Sequence, residues 1–357
     1  MGEPDSHEGN GDRVTLRRGA WPRLLAGAAR RFAIATSIAT VLAVGIGAGS
    51  AHGIGRTPIS FSEAPDFKWA VGDYNGDGSV DVWAIKVKNT DSGRVEVWVL
   101  DGANSYQRYL KRSATTIDVK QARNYKSWHV GDYDRDGSGD LYGIRTKAIK
   151  QKRIAVRVVS GGADFKTDLI YRLIPLSTAD APRYTFGVAH YDDDRYPDLY
   201  TTEVGFEAGD GDKRVRTTVY DGDPRARYRR ELESGLLPIS DTDARGMVFR
   251  VGQYTPGSAE VIGLEWRGKG NVRADVVSAD DGEHSFERFL LEDAPLHVNK
   301  RDHSSYAWGF GQADYSGGDD LIAIKRKSSS RDVGGETHVS VYVGFADSGY
   351  WHLVSQE

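Results

Sequence analysis

The stretch that decides the fold reads Trp69-Ala70-Val71-Gly72-Asp73-Tyr74-Asn75-Gly76-Asp77-Gly78-Ser79-Val80-Asp81, and it returns as Trp128-His129-Val130-Gly131-Asp132-Tyr133-Asp134-Arg135-Asp136-Gly137-Ser138-Gly139-Asp140. An aromatic residue, any residue, an apolar residue and glycine lead into an acidic loop. Three weaker copies follow, opening at Phe186-Gly187-Val188-Ala189-His190, Phe249-Arg250-Val251-Gly252-Gln253 and Trp308-Gly309-Phe310-Gly311-Gln312. The five aromatics stand 59, 58, 63 and 59 residues apart. A period of that length marks a repeat architecture.

Within each period the hydrophobic pattern is that of strands. A short apolar run follows each loop: Val82 to Ile85, Leu141 to Ile144, Leu199 and Tyr200, Val261 to Leu264, Leu321 to Ile324. Next come alternating positions: Val95, Val97 and Val99; Ile154, Val156 and Val158; Val215, Thr217 and Val219; Val272, Ala274 and Val276; Val339, Val341 and Val343. Period two with β-branched residues predicts half-buried strands. Most end in glycine turns such as Asp101-Gly102 and Asp221-Gly222. An aromatic segment closes each unit: Tyr106 to Leu110, Phe165 to Ile170, Tyr228 to Leu232, Phe286 to Leu291 and Tyr350 to Val354. Four strands in a unit of about 60 residues read as a propeller blade. The expectation is an all-β protein, a β-propeller of five four-stranded blades, with the recurrent aromatic packed between neighbouring blades. Ile59 to Ser62 is a candidate outer strand near the ring closure.

The loops carry the chemistry. In the first unit, oxygen side chains stand at loop positions 1, 3, 5 and 9 (Asp73, Asn75, Asp77, Asp81), with Gly78 at position 6 and Ser79 offering its backbone carbonyl. The second repeats this with Asp132, Asp134, Asp136, Gly137, Ser138 and Asp140. Alternate residues of a tight turn point into one concavity, and glycine permits the reversal. Oxygen donors without histidine or cysteine suit Ca2+, which takes about six to eight oxygens in irregular geometry. Acidic β-turns held by their own side-chain hydrogen bonds are the competing reading. The third unit has His190 in the first position, then Asp192, Asp194 and Asp198, a weaker site. The fifth keeps Asp314, Ser316 and Asp320, weaker again. The fourth (Gln253, Thr255, Gly257, Glu260) is one residue shorter and is predicted to bind no metal. Carboxylate counts give an affinity order of unit two, one, three, five. Tyr74, Tyr133, Tyr191 and Tyr254 follow the first loop position, where they either stack on sugars or pack between blades.

These loops, with the flanking Val-Gly-Asp and the following Asp-Val or Asp-Leu, resemble the FG-GAP repeat of integrin α-subunit propellers and the VCBS/FG-GAP-like repeats of exported bacterial proteins. The resemblance spans about residues 57–357 and is most specific in units one and two. It implies a propeller with calcium in loops of the form D-x-D-x-D-G-x-x-D, hence at the residues just named, and it points loosely to adhesion or to glycan or protein binding. Integrin propellers have seven blades, whereas this chain shows five units.

The remaining sequence narrows the setting. Residues 1–31 are polar and carry Arg17, Arg18, Arg30 and Arg31; an apolar run from Phe32 to Ala48 follows, and Gly49-Ser50-Ala51 suits cleavage. That order is a secretory signal peptide over residues 1–51, ahead of a repeat domain over 52–357. The alternative is a retained anchor, since 17 apolar residues reach roughly 25 Å as a helix. Beyond residue 51 there are 41 basic and 47 acidic residues, which does not suggest a nucleic-acid surface; the run Arg225, Arg227, Arg229 and Arg230 reads as a solvated face. The absence of cysteine removes disulfides and thiolate metal sites. No G-x-S-x-G, H-E-x-x-H or phosphate-binding loop occurs, and the nine histidines form no local motif. The sequence therefore predicts an exported calcium-binding module for a glycan or protein, with a cell-surface structural or adhesion protein tethered by its N-terminal segment as the alternative, and not an enzyme, a polysaccharide hydrolase or lyase on the propeller being the minor alternative.

Overall fold

The structure is a computed structural model that describes residues 55–192, 194–207, 212–253, 259–266, 268–278, 286–311, 319–327, 335–345 and 350–353. The export segment predicted over residues 1–51 lies outside these. Among the described residues, no helix is long and apolar enough to cross a membrane.

The described residues form five antiparallel sheets. Blade 1 consists of Phe67–Gly72, Asp81–Lys86, Arg94–Leu100 and Tyr109–Asp118. Blade 2 consists of Tyr125–Gly131, Asp140–Arg145, Arg153–Val159 and Asp168–Ser177. Blade 3 consists of Tyr184–Ala189, Asp198–Glu207, Lys213–Tyr220 and Glu231–Ser240. Blade 4 consists of Met247–Gly252, Glu260–Glu265, Asn271–Val277 and Phe289–Asn299. Within each blade the strands pair in chain order, from the inner strand that carries the sequence motif outward. The inner strands touch their neighbours all the way round, and that of blade 5 (Tyr306–Gly311) returns to that of blade 1. The fold is thus a five-bladed propeller, as the repeats predict.

Blade 5 shows how the ring closes. Its third strand, Glu336–Phe345, is flanked on its outer edge by two short strands. Gly55–Ser60 pairs with its first half, through Gly55 opposite Val339 and Arg56 opposite His338. Tyr350–Leu353 pairs with its second half, through Tyr342 opposite Leu353. The outer strand is therefore shared between the two ends of the domain, so the ring is fastened by backbone hydrogen bonds as well as packing. The candidate outer strand at Ile59 to Ser62 is real but begins earlier, at Gly55.

Packing between blades supplies the core. Trp83, Ile85, Val95 and Val97 of blade 1 are fully buried against Tyr125, Trp128, Leu141 and Phe165 of blade 2. The same arrangement joins blades 2 and 3, 3 and 4, 4 and 5, and 5 and 1. Removing one such side chain from water stabilises the fold by about 1.5–3 kcal/mol, which explains why neither face of a blade is stable alone. The recurrent aromatics Trp128, Phe186, Phe249 and Trp308 are buried in these seams, and Trp69 packs there in part. Tyr74 and Tyr133 sit there too: Tyr74 lies over Phe165 of the next blade with ring centroids 6.2 Å apart, and Tyr133 is buried against Tyr142. These two therefore pack instead of facing a ligand; Tyr254 lies outside the described residues.

The closing aromatics behave differently from the sequence expectation. Tyr106, Phe165, Tyr228 and Phe286 are fully buried, but they belong to the turn before the fourth strand and adopt left-handed backbone, at φ 63°, 59°, 59° and 67°. Each donates its N–H back across the turn, Tyr106 to Asp101 O at 2.8 Å and Phe165 to Ser160 O at 2.8 Å. The strands begin three residues later and run on to Asp118, Ser177, Ser240 and Asn299. Burial of the ring offsets a backbone conformation that costs roughly 1–2 kcal/mol outside glycine.

Candidate functional site: acidic loops and an axial channel

Each acidic loop joins the end of an inner strand to the start of the second strand. Its backbone winds tightly because alternate residues are left-handed: Gly76 and Gly78 in blade 1, Arg135 and Gly137 in blade 2, and Arg195 in blade 3. The position-6 glycines are thus required as predicted, while the left-handed position 4 tolerates arginine. The first carboxylate caps the turn. Asp73 accepts from Gly76 N at 2.8 Å and Gly78 N at 2.9 Å; Asp132 accepts from Asp136 N at 3.2 Å and Gly137 N at 3.0 Å. In blade 3, Asp192 accepts from Asp194 N at 3.1 Å.

In blade 2 the carboxylates converge. Oxygens of Asp132, Asp134 and Asp136 lie within 4.8 Å of one another. Two ligands on opposite sides of one Ca2+ are about 5 Å apart, so this spacing fits a single ion. The three charges repel in its absence: the Asp134 carboxyl is pushed above its usual range, first by desolvation in the crowded loop and then by Asp136 and Asp132. The donor set is hard oxygen throughout, which fits calcium. Blade 1 offers Asp73, Asn75 and Asp77, with Asn75 Nδ2 donating to Asp77 at 3.0 Å. Ser79 and Ser138 lie at the base of their loops, each donating its N–H to the position-5 carboxylate at 2.8 Å.

The position-9 carboxylates have a role that the sequence reading missed. Asp81, Asp140 and Asp198 are fully buried at the start of their second strands. Asp81 accepts from Tyr74 N at 2.9 Å and Gly102 N at 2.8 Å. Asp140 accepts from Tyr133 N at 2.7 Å and Gly161 N at 2.8 Å, and Asp198 accepts from Tyr191 N and Gly222 N at 2.8 Å each. One carboxylate thus clamps the acidic loop to the turn between the third and fourth strands. Burial pushes all three carboxyls up to about 7, against the pull of these N–H donors. Each oxygen keeps a second lone pair, so the clamp and a metal can share the group. Glu260 and Asp320 occupy the same buried place in blades 4 and 5. A carboxylate persists there even in the blade whose loop is otherwise nearly uncharged; its recurrence before an apolar run was the available signal. Asp314 and Ser316 lie outside the described residues.

A second feature lies on the axis. The five inner strands enclose a cavity of 330 Å³ lined by Lys68, Lys126, His129, Arg250 and Arg326 together with aromatic and valine side chains. No aspartate or glutamate stands among its described lining residues.

Residues 47–143, which include both complete loops, match the model of the FG-GAP-like repeat. No curated protein matches the chain. Solved structures similar to it include a GH43 endo-arabinanase from Bacillus licheniformis, 11% identical with a TM-score of 0.45, covering 83% of this chain and 99% of that one. Others are a GH43 β-1,3-galactosidase, 10% identical with a TM-score of 0.43 and coverage of 80% and 92%, and an α-L-arabinofuranosidase from Podospora anserina, 7% identical with a TM-score of 0.39 and coverage of 80% and 99%. The expectation that the chain is not an enzyme is corrected here: the solved structures just named are glycoside hydrolases, an activity that is theirs, and the exclusion of enzymatic function does not stand. The lack of a local catalytic motif is no ground for exclusion, because residues far apart in sequence can meet in a folded chain. The substrates named belong to those proteins. For this chain, the FG-GAP-like repeat seen in the motifs is matched by the family model over the first unit and the first part of the second, on a five-bladed propeller.

Proposed function

We propose that this chain is an exported calcium-binding propeller that recognises a glycan or a protein outside the cell. The observation that carries the reading is the convergence of Asp132, Asp134 and Asp136 in a loop repeated at the same place in blade 1. When bound, Ca2+ supplies the positive charge that lets these carboxylates stay together and ties the end of one strand to the start of the next. The capping bonds from Gly76, Gly78 and Gly137 set the loops in position beforehand. The chain's arginine-bearing, then apolar, N-terminal sequence supports export.

The test is a glycan array probed with the full chain in calcium and again in chelator, with polysaccharide turnover measured on the same preparations. Calcium-dependent binding to a defined set of glycans is expected. Identical array profiles with and without calcium would remove the metal from the recognition reading.

A further inference from the structure

The axial channel gathers positive charge without a counter-charge. Lys68 comes from the inner strand of blade 1, Arg250 from that of blade 4, and Arg326 directly follows the second strand of blade 5, Asp320–Lys325. None of the three forms an ion pair among the described residues. Arg250 donates Nε to Trp308 O at 3.0 Å and Nη1 to Phe249 O at 2.8 Å, leaving Nη2 uncommitted. Arg326 donates Nη2 to Ser304 O at 3.1 Å and Tyr306 O at 3.0 Å. The Lys68 ammonium makes no hydrogen bond among the described residues, although the Lys68 backbone is paired in its strand opposite Ile85. Lys126 differs, because its ammonium is taken up by the carbonyls of Ala181, Pro182 and Tyr184.

Lys68 is exposed, whereas Arg250 and Arg326 are half-buried, and cations drawn even partly from water are ordinarily paired, since full desolvation of each costs several kcal/mol. Here they also oppose one another. Burial and then Arg326 lower the Lys68 ammonium, and the same two causes lower the Arg250 guanidinium to about 10. His129, bonded to Ser127 Oγ at 2.9 Å, is pushed down to about 3 by burial and by Arg250, so it is neutral near pH 7. Such a pocket is complete only when something negative enters it.

We propose that the axial channel is an anion-binding site that takes one carboxylate or sulfate group, free or carried on a sugar, between Lys68, Arg250 and Arg326. It stands apart from the acidic loops: Lys68 is the second residue of its inner strand, whereas the loop of that blade leaves from the other end, after Gly72. Charge-assisted bonds from lysine and from a planar guanidinium are the interactions suited to such a group.

The experiment is calorimetric titration of the full chain with sulfate, glucuronate and glucose at constant ionic strength in chloride, in calcium and again in chelator. Saturable binding of sulfate or glucuronate, absent for glucose and present in both media, is expected. Tighter glucuronate marks a sugar-borne anion, and tighter sulfate a free one. Lys68→Gln, which removes no internal bond, should weaken binding about tenfold or more, and Arg250→Gln should weaken it further. Should Arg250→Gln not fold, Lys68→Gln decides alone. No saturable binding of either anion, or unchanged affinity in Lys68→Gln, overturns the proposal.

Discussion

At the scale of single residues, the clamp made by the position-9 aspartate can be measured by itself. In chelator, where no ion contributes, Asp140→Ala should destabilise the protein by about 2–4 kcal/mol, because two buried backbone N–H groups, of Tyr133 and Gly161, lose their acceptor. Denaturant unfolding measures this, and a loss under about 0.5 kcal/mol would leave the clamp without energetic weight. Asp275 provides a pH signature away from the loops. Burial, then Glu292 and Glu265, raise its carboxyl to about 6, above the unfolded value of about 3.9. The native state thus holds the proton more tightly than the unfolded chain, so this group's contribution to stability falls as pH rises from about 4 through 6 and then levels. Asp275→Asn retains an Oδ1 acceptor for the Asp293 N–H, bonded at 2.6 Å, and should be more stable than the parent at pH 7 with no gain at pH 4. Equal melting temperatures at both pH values would refute the burial argument.

At the scale of elements, the turn between the third and fourth strands is as specialised as the acidic loop it is clamped to. A methyl group on Gly102, Gly161 or Gly222 would run into the carbonyl oxygen of Val80, Gly139 or Pro197. Gly161→Ala should therefore lower the melting temperature through displaced backbone, whereas the exposed Gly93→Ala, with nothing near its Cβ, should cost only the strain of its φ of 65°. Phe165→Ala should cost about 3–5 kcal/mol, since its ring fills the seam between blades 1 and 2. These features mark the limit of what the sequence discloses. Strand identity was legible, because Val95, Val97 and Val99 or Ile154, Val156 and Val158 alternate on one pleat. The acidic loops were legible because their carboxylates are local. The clamp was not, because Asp81 and Gly102 are 21 residues apart and meet only across the sheet. Nor was the true start of the fourth strands, because a buried aromatic in a left-handed turn has the composition of a strand.

At the scale of the whole molecule, closure and charge are set by residues far apart in the chain. The closing segment of the fifth unit, Tyr350 to Val354, does supply an outer strand, at Tyr350–Leu353, and shares that edge with Gly55–Ser60. Deleting residues 55–60 should open the seam between blades 5 and 1, where Ile59 is buried beside Phe67 and Ile324, and should broaden thermal unfolding; a transition as sharp as the parent's would contradict closure by this strand. The axial cations likewise come from different blades and have no motif. The channel and the loops lie on one scaffold with opposite charge, and the loops are where the central claim stands or falls. The most direct measurement is calorimetric titration of the full chain with Ca2+, beside Asp132→Asn and Asp134→Asn. Saturable uptake in the range of about 10⁻⁴ to 10⁻³ M, with a rise in melting temperature and loss of one site in either variant, is the predicted result. No heat of binding and no thermal shift at millimolar Ca2+ would contradict it.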